Sequence, residues 1–373
     1  MASCRTGDTV SAGEAPEDTV YMQRALGLAR RGWGHTAPNP MVGAVIVRGQ
    51  EVVGEGYHAR YGGEHAEAAA LRAAGDRAAG ATVYVTLEPC THTGQTPPCA
   101  AALIRAGVRR VVVAIRDPHP AARGGIGELE AAGIQTTTGP EAAAARELNA
   151  PFLHALHSDR PWLTLKLAVS LDGAVRDAAR TTGWLTGPAA RAEVHRMRAG
   201  SDAIAVGIGT VLADDPLLTV RDAPAPRVPP LRVVFDNGAR LPLSSRLARS
   251  ADQGPVWVIA ARVPDPDRAA QLADAGVEVL VEETLHGALR ALRARGVRSL
   301  LAEPGPRLTG SLLGGLAADR LVIFQAPIVL GTGAESAFAF APAVTIAGAP
   351  RWPIVARRSF GSDTMTIYGL SEP

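Results

Sequence analysis

The stretch His65-Ala66-Glu67, followed by Pro89-Cys90 and then by Cys99, decides how this chain is read. One histidine and two cysteines supply three metal ligands. Three protein ligands leave a tetrahedral zinc with one open position for water, the mark of a catalytic site rather than a structural one. Zinc lowers the pKa of that water toward neutrality, so a nucleophile is available at ordinary pH. Glu67 stands two residues after His65, where a carboxylate can move protons without binding the metal. His92 is the one nearby side chain that would close the site as a fourth ligand, and that structural alternative stays open here.

Histidine-x-glutamate followed by proline-cysteine is the signature of zinc deaminases acting on amino-substituted ring carbons. There the second cysteine usually follows after two residues. Here eight residues separate Cys90 from Cys99, a longer loop that the site has to accommodate. The chain holds 3 cysteines; two lie in the motif and Cys4 lies near the start.

The rest of the composition narrows the classes. A length of 373 residues suggests about two domains. Hydrophobic residues make up 47%, enough for buried cores. A net charge of +2 and an aromatic content of 4% give no case for a nucleic-acid surface, so a base deaminase with an appended binding domain is the weaker class. No stretch is long and apolar enough to span a bilayer, and none resembles a signal peptide. Few cysteines fit a reducing cytoplasm.

Local patterns place the motif. Residues 1–16 are small and polar and read as a disordered leader. Asp18 caps a predicted helix over 19–31. Strands are expected at 41–47, 51–57, 82–87 and 109–115, with helices at 65–74, 98–106 and 142–157. His65 and Cys99 then sit at helix starts, whose positive ends favour thiolate. A boundary at Ser158-Asp159-Arg160-Pro161 separates a domain over 17–157 from one over 158–373. The second has strands at 162–169, 202–206, 231–235, 256–260 and 299–302. Its helices fall at 188–199, 267–275, 285–295 and 308–316, and strands separated by Gly- and Pro-rich turns close the chain from 321 onward. Both halves read as α/β with covering helices.

The first half resembles the deaminase domain of the bifunctional riboflavin-biosynthesis deaminase/reductases. The match is carried by Pro38-Asn39-Pro40, Gly54-Glu55-Gly56-Tyr57-His58, His65-Ala66-Glu67, Leu87-Glu88-Pro89-Cys90-Thr91-His92 and Pro98-Cys99. The eight-residue cysteine gap belongs to that family's pattern. The second half resembles the same family's reductase domain at 166–173, Trp184-Leu185-Thr186, 206–221 and Glu303-Pro304-Gly305-Pro306. Both halves occur in the family's order over nearly the whole chain.

This resemblance implies a cytidine-deaminase-like αβα sandwich followed by a dihydrofolate-reductase-like α/β domain, with zinc and NADPH as cofactors. It implies His65, Cys90 and Cys99 on zinc, Glu67 as proton shuttle, and Asn39, His58 and His92 on the substrate. In the reductase it implies Lys166 at the sugar and Thr182, Arg198, Arg221 and Glu303 facing the substrate. Ala168, Trp184, Thr210, Asp214, Leu218, Asn237, Gly305 and Arg307 then hold NADPH. The implied partner is a small phosphoribosyl pyrimidine, 2,5-diamino-6-(ribosylamino)-pyrimidinone 5′-phosphate, with no nucleic acid and no membrane, and the enzyme is expected to be a homo-oligomer. The sequence departs from the pattern at Gln95, at Pro304 and around Arg176-Asp177 and Arg180. Those departures motivate the alternative of a relative recruited to another pyrimidine-derived pathway, with its reductase altered or inactive.

Overall fold

A computed structural model of the chain describes residues 16–92, 97–120, 122–181 and 183–371. The expected leader lies outside the described residues except for Pro16, which opens a helix. The chain divides into two compact units, one ending at Leu156 and the other beginning at His157.

The first unit is built on five strands, β1 Gly43–Arg48, β2 Glu51–Tyr57, β3 Thr82–Val85, β4 Arg110–Val113 and β5 Gln135–Thr138. Their order is β2-β1-β3-β4-β5, antiparallel up to β3 and parallel after it. Successive side chains on a strand face opposite ways, and here both ways are apolar. Ala44, Ile46, Val83, Val85, Val111 and Val113 join one core with residues of the helices Ala66–Ala74, Cys99–Arg105 and Gly125–Ala131. Val45, Val47, Tyr84 and Val112 join a second core with residues of Pro16–Ala29, Ala142–Leu148 and Ala150–His154. A sheet apolar on both faces has to be covered on both, which gives the αβα sandwich.

Three local expectations change. Asp18 is not a cap: the helix starts at Pro16, and the fully buried Asp18 carboxylate accepts hydrogen bonds from Tyr84 Oη and from both Nη atoms of Arg110. The predicted helix over 142–157 is two helices, broken at Asn149, whose side-chain amide bonds the backbone of Met41 in both directions. A helix and a strand at Gly125–Ala131 and Gln135–Thr138 had no clear signal in a Gly- and Thr-rich stretch.

The second unit carries nine strands in one sheet. In chain order the strands are β6 Trp162–Val169, β7 Ala174–Arg176, β8 Ala203–Gly207, β9 Leu231–Phe235, β10 Val256–Ala260, β11 Val277–Val281, β12 Ser299–Ala302, β13 Arg320–Gln325, β14 Glu335–Ser336, β15 Ile354–Phe360 and β16 Asp363–Gly369. The large sheet runs β11-β10-β9-β8-β12-β6-β13-β16-β15, and β7 pairs with β14 apart from it. Pairing is parallel from β11 to β13 and antiparallel for β16 and β15. Leu163, Leu165, Leu167 and Val169 of β6 enter one core, which puts Lys166 and Ala168 on the other face. That face is covered by Ala190 and Val194 of the helix Pro188–Ala199, with Ala168 packed beside them. Among the described residues, no helix is long and apolar enough to cross a membrane.

Glycine sets the height of the metal-bearing helix over β2. A Cβ on Gly56 would lie 2.3 Å from the Ala66 carbonyl oxygen and 2.5 Å from the Ala70 nitrogen, and one on Gly54 2.4 Å from the Ala70 oxygen. Backbone cannot yield there as a flexible side chain can. Gly56→Ala is therefore expected to destabilise the first unit by about 1–3 kcal/mol, as overpacking does, and to lower its zinc content. Thermal denaturation with metal analysis checks both; an unchanged midpoint and full zinc would refute the close packing.

Candidate metal centre and reductase cleft

Three segments bring the zinc donors together. His65 is the N-cap of the helix Ala66–Ala74, Cys90 follows the end of β3 and the turn Thr86-Leu87-Glu88-Pro89, and Cys99 opens the helix Cys99–Arg105. His65 Nδ1 lies 3.2 Å from Cys99 Sγ and 3.6 Å from Cys90 Sγ, and all three donor atoms fall within 4.8 Å of one another. One imidazole and two sulfurs converging from separate elements match the donor set and count of a catalytic zinc. Among the described residues this is the one such cluster, and the exposed His92 is not part of it. Gln95 and its neighbours 93–96 lie outside the described residues.

The electrostatics suit a cation at this position. The Cys90 thiol is held down at about 4, chiefly by the hydrogen bond from Cys99 and against the cost of burial. The Cys99 thiol, donor to Cys90 and buried, is pushed far up. One proton is thus shared by the sulfur pair. The hydrogen bond with Cys90 raises His65. Glu67 is 4% exposed, and burial pushes its carboxyl up to about 7. A carboxyl near neutrality can both take and give a proton, although a dication beside it favours the ionised form.

His58 is buried, which lowers its pKa. Its Nδ1 lies 3.0 Å from the Glu64 carbonyl oxygen and its Nε2 3.3 Å from Asn39 Nδ2, and its ring meets that of His65 edge-on at 5.7 Å. Asn39 and His58 therefore sit side by side next to the metal ligand.

Sequence reasoning missed what holds Cys90. The buried Glu88 carboxylate accepts backbone hydrogen bonds from Asp117 at 3.0 Å, Gly124 at 3.0 Å and Ile126 at 3.1 Å. It ties the cysteine turn to the end of β4 and to the helix Gly125–Ala131. Gly125 lets that helix approach: a Cβ there would lie 1.9 Å from the Pro89 oxygen. The available signal was a charged residue next to Pro-Cys at the end of an apolar strand, where burial demands partners.

In the second unit a cleft of about 840 Å³ opens over the C-terminal ends of the parallel strands, the usual ligand position in such sheets. It is lined by Lys166, Ala168, Trp184, Arg198, Thr210, Asp214, Leu218, Arg221, Asn237, Glu303, Gly305 and Arg307, every described residue named for the reductase. Thr182 lies outside the described residues.

At one end of the cleft sits a buried ionic knot. Ala302 of β12 pairs with Leu165 of β6, so Glu303 emerges beside Lys166. Arg198 grips Glu303 with two bonds, Nε to Oε1 at 2.6 Å and Nη2 to Oε2 at 3.0 Å, and donates to the Thr219 oxygen at 3.0 Å. Lys166 Nζ stands 3.7 Å from Glu303 Oε2. Burial works to raise the Glu303 carboxyl, but Arg198 and Lys166 hold it down at about 2. Burial lowers Lys166, a lysine only 14% exposed.

The helix expected from Leu308 starts two residues earlier, with Gly305 as N-cap and Pro306 at its first position. The first turn presents the N–H groups of Arg307 and Leu308 but none from Pro304 or Pro306. Arg307 lies over the Phe340 ring, 4.7 Å from its centre. Arg176 donates to Asp214 Oδ1 at 3.2 Å, and Asp214 ends the helix Ile208–Asp214. Leu218, buried, is held at φ +52°, a conformation costly for leucine.

Both halves of the chain match known proteins. Residues 15–115 match the cytidine and deoxycytidylate deaminase zinc-binding region, and residues 161–365 match the RibD C-terminal domain. The chain is 42% identical to the riboflavin biosynthesis protein RibD of Aquifex aeolicus over 85% of its own length and 88% of that protein. With the Escherichia coli RibD it shares 40% over 93% of this chain and 98% of the other. This chain belongs to the RibD family. Among solved structures, Acinetobacter baumannii RibD superposes with a TM-score of 0.81 at 38% identity, covering 95% of this chain and 99% of that one. A Thermotoga maritima protein, described as a diaminohydroxyphosphoribosylaminopyrimidine deaminase/5-amino-6-(5-phosphoribosylamino)uracil reductase, gives 0.82 at 31% identity over 94% and 98%. The family membership makes the chain a bifunctional riboflavin-biosynthesis enzyme, a zinc-dependent deaminase followed by an NADPH-dependent reductase.

Because the sulfur pair shares one proton and His65 is raised, zinc uptake has to expel protons. Adding zinc to metal-free protein near pH 7 is expected to release roughly one to two protons per metal, read with a pH indicator. Cys90→Ser should abolish most of the uptake. Undiminished zinc in that variant would remove Cys90 from the site.

Proposed function

We propose that the first unit deaminates 2,5-diamino-6-(ribosylamino)-pyrimidinone 5′-phosphate and that the second reduces the ribosyl group of the product to ribityl. The observation carrying the first step is the convergence of His65, Cys90 and Cys99 within 4.8 Å, with the buried Glu67 two residues beyond His65. When bound, zinc supplies a water acidic enough to act as nucleophile at the amino-bearing ring carbon. Glu67 takes the water proton, gives it to the ring nitrogen and then serves the departing ammonia. Asn39, His58 and His92 hold the pyrimidine and its substituents.

In the second unit NADPH supplies the hydride that adds to the ribosyl C1′. Lys166, a buried lysine with a lowered pKa, delivers the proton that the ring oxygen takes as the sugar opens. Glu303, gripped by Arg198, fixes Lys166 and, with Arg221, lines the substrate's side of the cleft; Thr182, outside the described residues, is the remaining substrate residue of this reading. Ala168, Trp184, Thr210, Asp214, Leu218 and Asn237 carry the cofactor, with the Gly305 and Arg307 turn presenting its backbone donors to phosphate. We place the enzyme in the cytoplasm, where thiolate ligands stay reduced. It works as a homo-oligomer, which light scattering tests.

Glu67→Gln separates the steps. It should keep zinc, since Glu67 is not a ligand, while ammonia release falls by about two orders of magnitude or more, as loss of a general acid/base does. NADPH oxidation on substrate already deaminated should persist. Deamination at an undiminished rate would show that Glu67 is not the proton shuttle.

A further inference from the structure

One histidine beside the reductase cleft has no part in the assignments above. His195 lies on the helix Pro188–Ala199, three residues before Arg198 and so on the same face. It is buried. Its Nδ1 accepts a hydrogen bond from the backbone N–H of Arg221 at 3.1 Å. One turn further along, Arg198 Nη1 donates to the Thr219 carbonyl oxygen at 3.0 Å. Arg221 Nη1 in turn donates to Thr219 Oγ1 at 3.2 Å. The helix thus holds residues 219–221 at two points, one supplied by His195 and one by Arg198.

The segment needs holding. Leu218 at φ +52° and Asp222 at φ +53° stand on either side of it in the left-handed region, which a Cβ makes costly. Two such residues so close together persist only where the surroundings over-determine them. Arg198 is committed to Glu303 through Nε and Nη2, and its remaining bond fixes the segment at Thr219. The main chain of Arg221 is fixed by His195, and the Arg221 side chain lines the cleft.

We infer that His195 is a positioning residue of the reductase: by accepting from the Arg221 N–H it fixes residues 219–221 on the helix Pro188–Ala199 and keeps the Arg221 guanidinium at the substrate's side of the cleft. The inference rests on the reading that Arg221 meets the substrate. Only a ring whose Nδ1 carries a lone pair can accept that bond. The ring is faced by Arg198 from its own helix, by Arg221 and Asp222 from the chain it holds, and by Glu303 from the end of β12. Burial, and then the two guanidinium groups, lower its pKa against the opposing pull of the two carboxylates. That extends the accepting form towards acid pH. It is lost only when both ring nitrogens carry protons.

Steady-state NADPH oxidation by the full chain on substrate already deaminated, with KM taken separately for each reactant, tests this. His195→Leu removes the acceptor and should raise the KM for the deaminated substrate by about tenfold, the scale of one hydrogen bond. Both kcat and the KM for NADPH should stay within about twofold, as they do when only substrate binding is lost. His195→Asn puts an amide oxygen near the position of Nδ1 and does not titrate, so it should restore the substrate KM. As the pH falls, the substrate's phosphate takes up a proton whichever chain is assayed. The KM of the unaltered chain should nevertheless climb more steeply into acid than that of His195→Asn, and this comparison stands even where His195→Leu does not fold. An unchanged substrate KM in His195→Leu, equal rises for substrate and NADPH, an asparagine variant as weak as the leucine variant, or equal acid slopes would each overturn the inference. Arg221→Gln keeps the backbone N–H and tests the underlying reading. A raised substrate KM upholds it; an unchanged one removes Arg221 from the substrate, and the inference falls with it.

Discussion

A charge that leaves water has to be met by a partner, and each unit of this protein is arranged around one such charge. In the first unit it is the thiolate of Cys90, stabilised by Cys99 and His65 and ready for a dication. In the second it is the carboxylate of Glu303, held between Arg198 and Lys166. Removing one member of a buried pair leaves an unpaired charge, which costs far more than the pair itself contributes. The elements supplying the partners are therefore tied in position. The three segments around zinc cannot slide independently, nor can β6, the end of β12 and the helix Pro188–Ala199.

A second ring of buried carboxylates does the tying. Glu88 gathers three backbone N–H groups and holds the Cys90 turn. Asp18 closes on Tyr84 and Arg110. Asp319 is matched by Arg160, whose Nη1 and Nη2 lie 2.6 and 2.8 Å from its oxygens, and by the Leu163 nitrogen at 2.8 Å. None of these acids lines the reductase cleft or belongs to the metal cluster. They convert a few apolar layers into a frame stiff enough to keep reactive groups at fixed separations.

What was legible in the sequence follows from this division. His65, Cys90 and Cys99 announce themselves because few other roles call for those residue types at that spacing. The strands Leu231–Phe235, Val256–Ala260 and Ser299–Ala302 and the helix Pro188–Ala199 follow their patterns, since apolar runs and a leading proline are local signals. Glu88 and Asp18 were misjudged for the opposite reason: the partners of a buried carboxylate lie on distant elements, 29 to 38 residues away for Glu88 and 66 and 92 for Asp18. The short helix Ile208–Asp214 has little propensity of its own and rests on the tertiary packing of Ile208 and Val211.

The division into two units, each with its own core, has a consequence for the life of the protein in a cell. A ligand that binds only the native form raises the cost of opening in proportion to the logarithm of its free concentration. The first unit draws that protection from zinc and the second from pyridine nucleotide. Two supplies that the cell regulates separately thus guard one polypeptide. Quality control acts on whichever core opens more often. Scarcity of metal would then thin the population of reductase as well as of deaminase, without any change in the reductase itself.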